Sequence, residues 1–86
     1  MNVSIQLFGA FRQFQPSGEL QLACPDAHSI ADVRTALHSY AVANWPDFHP
    51  ALLHVSAFAS ASNVLRDAHP IPDDRQLAIL PPVSGG

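Results

Sequence analysis

The 86-residue sequence contains no lysine. Its four basic residues are the arginines Arg12, Arg34, Arg66 and Arg75, set against seven acidic residues for a formal charge of −3. Such a surface cannot neutralise a run of phosphates, so nucleic acid is excluded as a partner class. Cysteine is nearly absent as well. With Cys24 alone there is no internal disulfide and no Cys/His zinc pattern. Beside Pro25 the thiol reads as a small buried apolar group rather than a nucleophile. The histidines, His28, His38, His49, His54 and His69, do not pair at helical ligand spacing near a carboxylate. Solvated or capping roles suit them better than a metal centre. No apolar run approaches the ~18 residues of a membrane span. Met1-Asn2-Val3-Ser4 lacks the basic stretch and apolar core of a secretion signal, so the expected compartment is the cytoplasm. A Walker pattern or other glycine-rich phosphate loop is also missing, which places any nucleotide chemistry on another protein.

What remains is a chain with 48% hydrophobic residues, enough for one small folded domain that buries about 60–65% of its unfolded surface. Val3, Ile5 and Leu7 alternate with Ser4 and Gln6, the period of a half-buried strand over residues 2–8 that Gly9 ends. Pro16-Ser17-Gly18 is a turn signal. Glu19 to Cys24 alternates again, with Leu20, Leu22 and Cys24 on one face. Ser29 as N-cap and Asp32 three residues on form a capping-box pattern, and Asp32 also favours the positive end of the helix dipole. Ile30, Val33, Leu37, Tyr40 and Ala41 then make one apolar stripe, with Arg34, Thr35 and His38 turned away from its centre. This predicts a helix over about 30–42, ended by Asn44-Trp45-Pro46-Asp47.

Residues 48–51 read as loop. A third strand is predicted over Leu52–Ala59, with Leu53, Val55 and Ala57 alternating against His54, Ser56 and Phe58. A turn at Ser60–Asn63, a short strand at Val64-Leu65, a turn-rich loop at His69–Asp74 and a last strand at Gln76–Leu80 complete the chain. The unbroken Leu77-Ala78-Ile79-Leu80 run points to a central strand. The order β-β-α-β-β-β predicts an α+β β-grasp fold: a mixed sheet of four to five strands crossed by one main helix, with the first and last strands parallel at its centre. The domain covers 1–80 and a tail covers 81–86.

The tail reads Pro81-Pro82-Val83-Ser84-Gly85-Gly86. Neither proline can donate to a sheet ladder, so the last strand ends at about Leu80. The prolines hold the chain extended, and the six residues reach roughly 18–20 Å. Gly85 and Gly86 carry no Cβ and fit a slot closed to other residues. Such a terminus suits chemistry at the Gly86 α-carboxylate: activation as an acyl-adenylate, then attack by a sulfide equivalent to give a thiocarboxylate, a competent sulfur nucleophile.

The run Leu80-Pro81-Pro82-Val83-Ser84-Gly85-Gly86, with Leu7-Phe8-Gly9-Ala10-Phe11-Arg12 and His69-Pro70-Ile71-Pro72-Asp73-Asp74, resembles the MoaD/ThiS family of ubiquitin-like sulfur carriers, most of all the small subunit of molybdopterin synthase. The resemblance implies that an adenylyltransferase of the ubiquitin-activating type, using ATP and Mg, activates Gly86. Pro81, Pro82, Val83, Ser84 and Gly85 would thread into the large subunit of molybdopterin synthase. The family assembly is a heterotetramer of two large and two small subunits, and the sulfur goes to the pyranopterin precursor of the molybdenum cofactor. The chain itself would bind no cofactor and would not be catalytic alone. Phe8, Phe11, Arg12 and Leu80 are candidates for the partner surface, while Phe8 and Phe11 are open equally to core packing. The family has a glycine near Asp74, whose side chain tolerates left-handed backbone, and an acidic pair where Arg75-Gln76 stands. A sulfur carrier for thiamine, cysteine or another thio-metabolite, a ubiquitin-like modifier forming isopeptides through Gly86, and a plain binding module are the alternatives.

Overall fold

The computed structural model describes residues 1–82, and Val83–Gly86 lie outside the described residues. Alternation of apolar and polar residues builds β1 (Asn2–Leu7) and β2 (Glu19–Ala23), which pair antiparallel with Ile5 opposite Leu20. Val3, Ile5 and Leu7 face inward with Leu20 and Leu22, each no more than 3% exposed. Between these strands, where the sequence suggests only a loop, Gly9–Gln13 form a 3-10 turn. It carries Phe11 into the core.

The helix α1 spans Ile30–Asn44, two residues beyond the predicted end. Ile30, Val33, Leu37 and Ala41 make its buried stripe, as their spacing requires. At its start the Asp32 carboxylate accepts hydrogen bonds from the backbone N–H groups of His28 (2.9 Å) and Ser29 (3.2 Å). Those bonds hold its pKa below the ordinary value, because they favour the charged form. The loop after Val64-Leu65 supplies two further acceptors to the first turn, His69 O for Ile30 N–H and Asp67 O for Ala31 N–H, both at 2.9 Å. These satisfy donors that a helix cannot pair internally. At the other end Trp45 stacks on Phe14 (centroids 5.1 Å apart, planes 10° apart) and meets Phe48 and Tyr40 edge-on. This aromatic plug closes the core where the helix ends.

The predicted strand over 52–59 is wrong in its first half. Pro50–His54 form a helix, α2, with Pro50 in its first turn, where a fixed φ is compatible with helix and the missing N–H costs nothing. Only Ala57–Ala59 extend, as β3. The face assignment reverses with it: Phe58 is fully buried, while Val55 is 60% exposed. β4 is Val64–Leu65 and β5 is Gln76–Leu80. The sheet has five strands in the order β2-β1-β5-β3-β4. β5 is central, parallel to β1 and antiparallel to β3, and α1 covers one face. This is the β-grasp arrangement.

Candidate functional site

The base of the tail is built by the β1–β5 ladder. Leu7 is level with Ile79, so the residues just past each strand's inward-facing end, Phe8-Gly9 and Leu80-Pro81, leave the sheet side by side. Leu7 and Ile79 point into the core. Alternation then places Phe8 and Leu80 on the open face, and Phe8 is 41% exposed. Leu80 and Pro81 are half-buried and Pro82 is exposed. β5 ends at Leu80, where the next residue first lacks an N–H.

Gly9 lies against Pro81. Its φ is +56°, and a Cβ built on it would sit 2.6 Å from Pro81 Cγ. Both facts demand glycine: L side chains avoid that backbone region, and the space is already taken by the proline ring. In the sequence Gly9 reads only as the end of a strand. Phe11 N–H donates to Phe8 O at 3.2 Å, and Leu7 N–H to Gly18 O at 2.8 Å. The segment facing Pro81 is thus tied to the core on both sides.

Phe11 is fully buried and is therefore no part of a partner surface. Its ring anchors the 3-10 turn instead. Arg12 is exposed. Its guanidinium lies over Gly18, with Nε 3.4 Å from where a Cβ would stand. Among the described residues the one ion pair is Arg34–Asp67, at 3.0 Å, so Arg12 has no carboxylate at salt-bridge distance there. Phe8, Arg12 and Leu80 remain as surface residues near the tail base.

The open face of the sheet divides into two halves. Over β1 and β2, Ser4 Oγ donates to Glu19 Oε1 (2.7 Å) and Gln21 Nε2 donates to both (2.9 and 3.0 Å). Those polar groups satisfy one another. Over β5, β3 and β4 the same face carries Ala78, Leu80, Ala57, Ala59 and Val64, and Val64 is 66% exposed. A shallow groove runs between the halves, lined by Gln6, Phe8, Ser60, Ala61, Gln76 and Ala78. Phe8 and Ala78 line that groove together, and the apolar half ends at Leu80 and Pro81.

The turn before β5 is made by a different route from the one expected at Asp74. The left-handed residue is Arg75, with φ +56°, and the Asp74 carboxylate accepts from Gln76 N–H at 3.0 Å. Cys24 is buried, and burial raises its thiol pKa. Among the described residues no three His, Cys, Asp or Glu side chains converge in a way that could hold a metal ion, and no helix is long and apolar enough to cross a membrane. The expected thiocarboxylate position, Gly86, and the threading residues Val83, Ser84 and Gly85 lie outside the described residues.

The sequence matches no family model and no curated protein. Among solved structures, the crystal structure of SAMP1 from Haloferax volcanii is similar at a TM-score of 0.71 and 17% identity, covering 100% of both chains. At that identity the likeness speaks to the fold, and the fold that the two share is the ubiquitin-like β-grasp.

Proposed function

We propose that this protein is a ubiquitin-like sulfur carrier acting at the Gly86 carboxyl group, as the small subunit of molybdopterin synthase. One observation carries the reading. The central strand β5 stops at Leu80, on the apolar half of the sheet's open face, Pro81 and Pro82 follow outside the ladder, and the sequence ends Val83-Ser84-Gly85-Gly86. A rigid domain then acts as a handle, and a thin segment delivers the chemistry.

In this reading an adenylyltransferase of the ubiquitin-activating type, using ATP with Mg, joins the Gly86 carboxylate to AMP and releases pyrophosphate. A sulfide equivalent attacks the acyl carbon. The C–S bond forms, the C–O bond to AMP breaks, and AMP leaves with the electron pair, giving –CO–SH. In the large synthase subunit the thiocarboxylate sulfur attacks a carbon of the pyranopterin precursor; the C–S bond forms, that carbon's bond to an oxygen substituent breaks, and the oxygen leaves protonated. Hydrolysis of the resulting thioester returns the carboxylate and leaves sulfur on the product. Phe8, Leu80 and Pro81 meet the partner near the tail base, and Arg12, held over Gly18, pairs with an acidic group there. The stiff prolines lower the entropy cost of threading. The cytoplasm, where ATP is available, is the compartment this requires.

The test is intact mass after incubation with ATP, a sulfur donor and the adenylyltransferase of the same organism. Exchange of the terminal oxygen for sulfur adds about 16 mass units, an arithmetic difference of atomic masses. Deletion of Gly86 abolishes transfer and leaves thermal unfolding unchanged, since folding strength lies in the buried core. Sulfur loading without product from the large subunit and precursor reassigns the carrier to another thio-metabolite. Isopeptide adducts on other proteins, without a thiocarboxylate, make it a modifier instead.

A further inference from the structure

We infer that Gly9 is a positioning residue for the tail: it is the socket that receives the Pro81 ring and sets the direction in which the chain leaves the sheet at Pro81-Pro82. The inference rests on the carrier reading above for its use, but its geometry stands apart from it.

Within β5 the chain is held by ladder hydrogen bonds to β1 and β3. At Pro81 that control stops, because proline has no N–H to donate. Van der Waals contact is what remains to orient the chain there. Continuing the parallel register from Leu7 and Ile79 brings Gly9 level with Pro81. The ring fills the space that any side chain at position 9 would need, to within 2.6 Å of the ideal Cβ. The socket wall is stiff. Its backbone is left-handed at Gly9, its next residues form the 3-10 turn, and Phe11 in that turn is buried without exposure. Displacing Pro81 therefore moves the tail rather than the wall. Five residues lie beyond Pro81, with a contour of about 16 Å, so the direction set at Pro81 is where their path begins. Misplacement of reacting groups by ~1 Å can cost up to two orders of magnitude in rate.

Gly9→Asn and Gly9→Ala test this in the full chain. Asn tolerates the left-handed backbone and so isolates the collision with Pro81 from the φ strain that Ala adds. Two measurements are made. The first needs no partner: residual dipolar couplings of the Val83–Gly86 amides. Socket function predicts that Gly9→Asn changes them while couplings in β1 and β5 stay the same. Unchanged tail couplings overturn the proposal whatever the chain's function. The second is ATP–pyrophosphate exchange by the adenylyltransferase of the same organism. Gly9→Asn is expected to lower kcat/KM roughly tenfold, mostly through KM, because an unoriented tail costs more to thread. In a Pro81→Ala background the same substitution has little further effect. An equal loss in both backgrounds overturns the proposal, since Gly9 would then act through folding alone. If the wild-type chain supports no exchange while the couplings move, the socket stands and the carrier reading falls.

Discussion

Arg34 gives the sharpest test of how this small domain is held together. Its position on the helix, away from the apolar stripe, is that of a solvent-facing charge. In the structure its side chain is only 19% exposed and spans three elements. Nη1 donates to Leu53 O (2.6 Å) and Ser56 O (2.9 Å), Nε and Nη2 donate to Asp67 Oδ1 (3.1 and 3.0 Å), and the guanidinium sits 5.1 Å from the Phe58 ring centre. Arg34→Met keeps most of the stem's packing and removes all five interactions. Leu53 O retains the Ser56 N–H at 3.1 Å, whereas Ser56 is 5% exposed and its carbonyl has no second partner among the described residues. Stranding one buried acceptor costs ~1–3 kcal/mol. Losing the charge-assisted bond to the other carbonyl and the ring contact adds about 1–2 kcal/mol. The total is about 3 kcal/mol, against a domain stability on the order of 4–13 kcal/mol for this length. Melting should fall by roughly 12–24 °C. Asp67 is the control. Its side chain is 57% exposed, so Asp67→Ala removes a screened ion pair worth at most ~1 kcal/mol. Chemical denaturation of both variants at low and high salt decides the matter. Equal losses, or an Arg34→Met loss that vanishes in salt, would show that the ion pair matters and the carbonyls do not.

Three further outcomes are expected. Asp32→Asn should lower the denaturant midpoint at neutral pH and flatten its acid limb. The backbone N–H bonds of His28 and Ser29 hold the folded carboxyl below its ordinary pKa, so the folded state binds fewer protons than the unfolded chain. The stabilisation is complete above the unfolded value and fades as pH drops through the folded one; an identical acid limb in the variant would contradict this. Phe11→Ala should cost about 3–5 kcal/mol as a core cavity, and Phe8→Ala under ~1 kcal/mol, measured by urea midpoints; comparable losses would contradict their different exposure. Removing Gly86 should leave melting unchanged and abolish sulfur loading, as read by intact mass.

Much of this fold is legible in short-range pattern. Period-two alternation locates β1 and β2 to within a residue, the unbroken apolar run Leu77–Leu80 locates β5, and the Ser29–Asp32 pair locates the start of α1. These features hold because each buries its own apolar face and needs no distant partner to choose its type. The strand expected across 52–59 fails where a short apolar run is compatible with two periods. Leu53 fits the inward face of a strand, but it also fits one turn of α2, and Pro50 decides for the helix. Arg34 departs from expectation for a related reason. Its distance from the apolar stripe is visible locally, while the carbonyls of Leu53 and Ser56 that draw it inward belong to residues 19 and 22 positions away. The same holds for Phe11, whose burial depends on a 3-10 turn that no periodicity announces, and for Gly9, whose neighbour Pro81 lies at the far end of the sequence.

That last pairing has a topological cause. In an antiparallel pair, the end of one strand lies beside the start of its partner. Because β1 and β5 run parallel, the end of β5 lies beside the residues immediately after β1. The Phe8-Gly9 step is thus the piece of chain placed to shape the exit of Leu80-Pro81, although more than seventy residues separate them in sequence. Met1 sits at the opposite end of the same strand, about 20 Å away for six residues at ~3.3 Å each. A ubiquitin-like fold of this order can therefore tune how its last segment leaves the domain through two residues near its start. It can do so without altering the last segment itself, because the ladder fixes the two exits in common register.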